Sequence, residues 1–259
     1  MHMRRSLVLE KLRAGKPVHS FHLNFADPRV AETAALHGFD CLWICQEHIA
    51  NDWSAVESQI LAAKCHDVDT LVRVSRGSYS DYIKPLEMDA TGIMVPHIMS
   101  VKDAEDVVRM TRFMPVGRRP VDGGNADAKF CNVAFTDYLK EANEQRFLIV
   151  QIEDPEPLDE LDEIASLDGI DMLFFGPGDF SHSIGAPGEW DHPRLIEARK
   201  LVAEAANKHG KFAGTTADLS TVKSYQDMGY QFLNTGADVL ALNEYCKRLK
   251  SGFDEICGL

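Results

Sequence analysis

The chain has 259 residues, of which 45% are hydrophobic and 26% are charged, and its formal net charge is −13. No apolar run approaches the roughly 18 residues of a membrane span, and the negative charge disfavours nucleic acid and membrane surfaces as partners. The N-terminus lacks the apolar core of a secretion signal and the six cysteines contain no CxxC pair, so we expect a cytoplasmic protein.

The first half of the chain alternates short apolar runs with amphipathic stretches. Leucines at helical spacing predict an N-terminal helix over about residues 4–14, and residues 17–23 predict a strand, which is weaker than the others because it contains two histidines. Asp27 before Pro28 is typical of a helix N-terminus. Further strands are predicted over residues 40–45, 70–74 and 92–95, and further helices begin near residues 53, 79 and 100.

Residues 114–146 interrupt this alternation. They are rich in glycine and charge, and we interpret them as a long loop with short helical pieces, close to a functional site at the carboxyl ends of the strands. Strands are then predicted over residues 147–152, 172–175, 211–215 and 231–235, with helices between them and a last helix over about residues 239–250.

Eight strand–helix units without a dividing linker predict a single domain over residues 1–259. A doubly wound sheet usually places a G-x-G-x-x-G turn after its first strand, and the chain has none there. We therefore predict a (β/α)8 TIM barrel, in which the active site lies at the carboxyl ends of the strands. Polar residues collect at those ends, namely His22, Glu47, His48, Arg73, His97, Glu153, Asp179, Thr215, Thr216, Asn234 and Thr235.

Glu153 and Asp179 follow two consecutive predicted strands. Neighbouring strands lie about 4.8 Å apart, so both carboxylates could bind one small cation, although either could equally be a helix cap or a solvated loop residue. The intervening turn Gly176-Pro177-Gly178 removes side chains where backbone N–H groups could approach an anion. A plain cap does not need such a turn, which favours a metal site.

Five motifs occur in the order and spacing of the HpcH/HpaI aldolases. They are EH at 47–48, VRV at 72–74, GIMVP at 92–96, QIE at 151–153 and GPGDFS at 176–181. The chain resembles this family of metal-dependent pyruvate aldolases from about residue 26 to the last strand. The resemblance implies a lyase that cleaves or forms hydroxy-2-oxo acids through a pyruvate enolate, with a 2-oxo acid and an aldehyde as substrates and a homo-oligomeric, hexameric assembly.

The resemblance also implies which residues bind the metal and the substrate. Glu153 and Asp179 would hold a divalent ion, Mg²⁺ or Mn²⁺ by hardness, with Co²⁺ and Zn²⁺ as alternatives. Backbone N–H groups of Gly178 and Asp179 would bind the substrate carboxylate, and Gln151 would contribute to the same subsite.

Three catalytic residues follow from the same resemblance. Arg73 would bind substrate and stabilise the enolate oxygen, His48 would move the proton of the hydroxyl group, and Glu47 would orient the loop or metal-bound water. On the residues alone, Arg73 could equally be a salt-bridge residue at the end of the barrel. His48 and Glu47 could likewise be a pair of surface residues.

The chain departs from the family pattern at several positions that we predict near the pocket. Cys45 replaces an aspartate three residues before His48 that orients the imidazole, and His22 replaces a tryptophan. Cys45, His22 and Pro177 are therefore assigned to the pocket without a defined role. In the long segment, Arg119 precedes Pro120 where the family has glycine.

Other functions stay open on the sequence alone. A family offshoot could condense oxaloacetate with an acyl-CoA, as a citrate synthase does. A hydrolase could use Cys45 and His48, and a non-catalytic protein could bind a 2-oxo acid. Leu240, Leu242 and Tyr245 in the last helix suit either contact with a neighbouring subunit or packing on the barrel wall.

Overall fold

The computed structural model describes all residues 1–259, and its centre is a closed barrel of eight parallel strands. Each strand pairs with the next along the chain, and the eighth pairs with the first. The (β/α)8 prediction is confirmed. The strands are β1 Val18–Leu23, β2 Cys41–Cys45, β3 Asp69–Arg73, β4 Gly92–Val95, β5 Phe147–Ile152, β6 Met172–Phe175, β7 Phe212–Ala217 and β8 Phe232–Ala237.

Helices surround the barrel and close one end of it. They are α1 Leu7–Arg13, α2 Pro28–Leu36, α3 Trp53–Lys64, α4 Tyr79–Glu87, α5 Val101–Thr111, α6 Phe135–Gln145, α7 Leu161–Ser166, α8 Pro177–Ser183, α9 Pro193–Lys208, α10 Val222–Asp227 and α11 Asp238–Cys257. A short 3₁₀ helix, Glu156–Glu160, precedes α7. No helix of the structure combines the length and the apolar character needed to cross a membrane.

The core has two layers because side chains alternate along each strand. In β2, Trp43 points into the barrel and packs near Leu71 and Phe174, whereas Leu42 and Ile44 belong to the layer between strands and helices. Both sets are fully or almost fully buried. The alternation therefore holds the barrel rigid and presents the last residue of each strand at its carboxyl end.

Helix α1 closes the amino end of the barrel. Leu9 and Leu12 belong to the same apolar cluster as the barrel interior. The Ser6 hydroxyl and the Val8 N–H donate to one carboxylate oxygen of Asp69, the first residue of β3, at 2.8 and 2.9 Å. The predicted N-terminal helix is confirmed.

The segment between α5 and β5 differs from its prediction. It follows a helix and precedes a strand, and it packs at the amino end of the barrel: the Asp127 N–H donates to the Glu87 carbonyl, at the end of α4, over 3.2 Å. Buried Arg119 pairs with Asp127 at 3.1 Å, and the Tyr138 hydroxyl donates to the same carboxylate at 2.8 Å. The predicted loop at the carboxyl end is therefore wrong, and Arg119 lies far from the pocket to which we assigned it.

Helix α11 is longer than predicted and almost wholly exposed. Asp238, its first residue, is its only buried one. Leu240, Leu242 and Tyr245 are 61, 51 and 52% exposed, so packing on the wall of this barrel is wrong for them.

Candidate active site

Arg73 lies at the carboxyl end of β3, directly beside the end of β2. The register of the two strands places Arg73 opposite Cys45, and both are buried. The Arg73 Nε–H and Nη2–H groups donate to Cys45 Sγ at 3.3 and 3.2 Å, and the guanidinium lies 4.9 Å from the centre of the Trp43 ring. The thiol and the aromatic face therefore hold Arg73 in a fixed orientation.

Glu47 approaches Arg73 without completing a hydrogen bond. Its Oε2 lies 3.1 Å from Arg73 Nε, an ion pair by distance, yet this buried oxygen has no hydrogen-bond partner, since the single Nε–H points at the sulfur of Cys45. His48 Nε2 lies 3.4 Å from the same oxygen, and the His48 side chain is 58% exposed. Glu47 thus retains free acceptor capacity beside an exposed imidazole.

Glu153 directly follows β5 and is only 1% exposed. One carboxylate oxygen accepts from the His97 N–H at 3.0 Å, and the other accepts from the Gln151 amide. Burial raises the pKa of Glu153 to about 7; the contact with His97 opposes this shift, and the charges of Asp179 and Glu47 add to it. Burial therefore disfavours the ionised form of Glu153, which a nearby cation would favour.

His97 completes a group that we did not assign from the sequence. Its backbone is in the left-handed region, with φ 49°, and its Nδ1 lies 2.7 Å from Asp154 Oδ2. Nε2 is 3.7 Å from a carboxylate oxygen of Glu47 and 3.7 Å from one of Glu153. Burial alone would lower the pKa of His97, but Asp154 and the other carboxylates raise it above its usual value.

Glu47, His97 and Glu153 each offer one ligand atom within 4.8 Å of the others. Histidines that bind metals commonly bond a carboxylate through their second ring nitrogen, as His97 does with Asp154. The donor set of two carboxylates and one imidazole suits a divalent cation. The signal available in the sequence was the position of His97 immediately beyond Pro96, which ends the fourth predicted strand.

Asp179 stands further out than Glu153. It is the third residue of α8, it is half-buried, and it is not among the three residues within 4.8 Å. Its charge nevertheless contributes to the raised pKa of Glu153. A Cβ atom at Gly176 would lie 2.6 Å from Glu153 Oε2, whereas one at Gly178 would meet nothing within 4 Å. The first glycine of the turn therefore makes room for the carboxylate.

Two further residues that we assigned to the pocket, His22 and Pro177, lie in different surroundings. The His22 ring stacks on Trp43 with centroids 4.6 Å apart, and its buried Nε2 has no partner. Burial, with the charges of Arg73 and His48, lowers the pKa of His22 to about 4, so this imidazole is neutral at pH 7. Pro177 begins α8 and lines a separate cavity on the outer side of the turn.

The barrel and its group of carboxylates, imidazoles and one buried guanidinium at the carboxyl ends of the strands define a TIM-barrel enzyme. The profile of the HpcH/HpaI aldolase/citrate lyase family matches residues 19–244, and the chain belongs to this family. The resemblance inferred from the five motifs is confirmed.

Individual relatives agree with this assignment. The hydroxypyruvate/pyruvate aldolase of Pseudomonas aeruginosa is 34% identical over 248 residues, which are 94% of this chain and 92% of the relative. An HpcH/HpaI aldolase from Desulfitobacterium hafniense has a TM-score of 0.91 at 29% identity, over 97% of this chain and 98% of that one. Citrate synthase SbnG has a TM-score of 0.88 at 27% identity, over 96% and 98%. The prediction of an aldolase-type lyase is confirmed at the level of enzyme class.

Proposed function

We propose that this protein is a divalent-metal-dependent aldolase that cleaves or forms hydroxy-2-oxo acids through the enolate of pyruvate. The observation that carries the proposal is the buried Glu153 carboxylate, which lies within 4.8 Å of ligand atoms of Glu47 and His97, while Arg73 lies 3.1 Å from Glu47. The aldolase relatives support the same reaction class.

Glu153 and Asp179 would hold the ion, Mg²⁺ or Mn²⁺, and His97 and Glu47 offer further ligand atoms within 4.8 Å of one on Glu153. The fit is supported by the unpartnered oxygens of Glu47 and Gln151 and by the raised pKa of Glu153, all of which a cation would relieve. When bound, a divalent ion supplies Lewis-acid polarisation of a keto oxygen.

The residues of the chain supply the other functions. Arg73, held between Cys45 and Trp43, stabilises negative charge that develops on the enolate oxygen. His48 is exposed to solvent and moves the proton of the hydroxyl group, with Glu47 orienting its ring from 3.4 Å. Backbone N–H groups of Gly178 and Asp179, with Gln151, bind the substrate carboxylate.

The role of Cys45 in this scheme is to position Arg73. No hydrogen bond joins Cys45 to His48, and the sulfur is fully buried and therefore inaccessible to a substrate, which argues against a thiol nucleophile. Cys45 does not contact His48 as an orienting aspartate would, and Glu47 makes that contact instead.

The decisive experiment follows exchange of deuterium from solvent into the methyl group of pyruvate, because exchange reports the enolate whatever the aldehyde. We expect exchange with Mn²⁺ or Mg²⁺ and none after treatment with EDTA. Arg73→Lys should lower its rate about 100-fold or more, while Cys45→Ser, which keeps an acceptor for Arg73, should retain it. Metal-independent turnover that is lost in Cys45→Ser would point to the hydrolase, and pyruvate binding without exchange to a non-catalytic protein.

A second candidate is a citrate synthase that condenses oxaloacetate with an acyl-CoA. It is favoured by the similarity to citrate synthase SbnG over nearly the whole of both chains. Release of free CoA thiol from acetyl-CoA in the presence of oxaloacetate, without exchange into pyruvate, would favour this candidate over the aldolase.

We further infer a homo-oligomer, hexameric by family resemblance, in which the exposed apolar side chains of α11 contact a neighbouring subunit. Its largest exposed apolar side chains include Leu249, Phe253 and Ile256, which are 55, 61 and 87% exposed.

All six cysteines are free, which supports a reducing, cytoplasmic setting.

A further inference from the structure

We propose that Arg199 binds the carboxylate or phosphate group of a small molecule in a cavity beside the turn at Gly176. The cavity has a volume of about 360 Å³ and lies between α8, α9, α10 and the end of β7. Pro177, Trp190 and Thr216 form part of its lining with Arg199. Its size suits a small organic anion.

Arg199 is the one buried arginine of the chain that lacks a carboxylate partner. The other buried arginines each pair with an acidic residue: Arg73 with Glu47, Arg112 with Asp171, Arg119 with Asp127 and Arg146 with Asp89. Arg199 is 7% exposed, its Nε is buried without a partner, and its side chain forms no ion pair. A buried charge without a counter-ion is unfavourable, and a bound anion would remove that penalty.

Aromatic contacts hold the guanidinium in place but leave its N–H groups free. Its central carbon lies 4.8 Å from the centre of the Tyr225 ring and 5.7 Å from that of Phe175. These contacts use the faces of the rings and partly offset the buried charge, yet they satisfy no N–H donor. The free, planar set of donors matches a carboxylate or a phosphate.

The two acidic residues at the cavity do not neutralise Arg199. Asp191 and Asp218 line it, and neither forms an ion pair with the guanidinium, whose buried Nε has no partner. One oxygen of the Asp218 carboxylate accepts the N–H groups of Ser220 at 2.7 Å and Thr221 at 3.2 Å, which holds this side chain in the turn before α10. Thr216 also lines the cavity, and its hydroxyl forms no hydrogen bond within the protein.

The cavity adjoins the proposed active site through Pro177, which precedes Gly178 and Asp179. The anion could therefore belong to the far end of the aldehyde substrate or to a separate effector. Binding by Arg199 does not depend on the proposed function; only its assignment to a substrate does.

The test is titration calorimetry of the full-length protein with inorganic phosphate and with succinate, at constant ionic strength maintained with sodium chloride. Arg199→Met, which fits a buried site, should weaken binding about tenfold or more, and Arg199→Lys should weaken it less. Arg194→Met, at an exposed position on the same helix, should bind as the wild type does. The anions should raise the melting temperature of the wild type but not that of Arg199→Met, which by itself should melt no lower than the wild type.

Wild-type protein that binds neither anion, or equal binding by wild type and Arg199→Met, would overturn the proposal. The source of the anion is then assigned by comparing aldol addition of pyruvate to 4-oxobutanoate and to butanal. A loss in Arg199→Met confined to the charged aldehyde identifies a substrate subsite. Unchanged selectivity, with anion binding that persists in the presence of saturating oxalate, identifies an effector site. Anion binding that depends on Arg199 in a protein inactive towards every aldehyde would support this inference and count against the aldolase.

Discussion

Burial and neighbouring charges both change the pKa of the Glu153 carboxyl group. Its pKa rises from 4.5 to about 7 in the folded, metal-free protein, so between these values the native state binds more protons than the unfolded state. Stability must therefore fall as pH increases through this window. The shift corresponds to about 3 kcal/mol.

We accordingly expect Glu153→Gln, which cannot ionise, to be as stable as the wild type near pH 4.5 and more stable by up to about 3 kcal/mol at pH 8. Urea unfolding in EDTA at both pH values measures this difference. Added Mn²⁺ should stabilise only the wild type. A stability difference that is the same at both pH values would show that the ionisation of Glu153 is not its cause.

The strand ends placed Glu47, Arg73 and Glu153 at one end of the barrel, and the structure brings them together. The catalytic roles of Glu47 and Arg73 came from the family resemblance, because position alone left them as surface or salt-bridge residues. His97 could not be assigned, because a histidine after a strand is more often a loop residue than a ligand. Its orientation depends on a left-handed backbone and on Asp154, neither of which a local pattern shows.

At the scale of elements, the turn before α8 leaves the space that the Glu153 carboxylate occupies. We expect Gly176→Ala to weaken Mn²⁺ binding about 10- to 100-fold, since its methyl group would displace the Glu153 carboxylate. Gly178→Ala is the matched control, because its methyl group enters open space. Titration calorimetry with Mn²⁺ compares the two variants, and equal affinities would show that the turn does not control the position of Glu153.

The amino end of the barrel carries buried ion pairs that should affect stability without affecting chemistry. Asp127→Ala leaves Arg119 buried without its partner, which should cost about 3–5 kcal/mol. Asp122→Ala, at an exposed position in the same segment, should change stability by less than about 0.5 kcal/mol. Urea unfolding measures both, and pyruvate exchange by the folded variants should match that of the wild type. If folded Asp127→Ala alone lost pyruvate exchange, residues 114–146 would have to contribute to the active site, which would contradict this prediction.

This segment also shows where the periodicity of a sequence becomes uninformative. Helix α6 buries only Tyr138 and Ala142, so its apolar pattern is too sparse to separate it from a loop. The glycines and charges of residues 114–146 are typical of active-site loops. Some of these charges instead form buried ion pairs at the amino end of the barrel. The regular strands and helices had apolar faces matched to both core layers, and these were predictable.

At the scale of the whole molecule, the exposed helix α11 is the contact that we expect between copies of the chain in the proposed homo-oligomer. Leu242, Tyr245, Leu249, Phe253 and Ile256 follow helical spacing and share one exposed side. We expect Leu242→Glu/Leu249→Glu to dissociate the oligomer into smaller species of unchanged secondary structure. Asn243→Glu, at an exposed polar position of α11, is the control. Light scattering coupled to size exclusion gives the masses; an unchanged mass for the double variant would exclude α11 from the interface.

The base of α11 is tied to the catalytic end of the barrel. The Asp238 carboxylate accepts the N–H groups of Asn24 at 2.7 Å and Phe25 at 3.0 Å, in the connection that follows β1. A neighbouring subunit that binds the carboxyl-terminal part of α11 would therefore also stabilise the connection that follows β1, at the carboxyl end of the barrel. Turnover per subunit should consequently decline when the protein is diluted below the dissociation constant of the oligomer, and return when the protein is concentrated again.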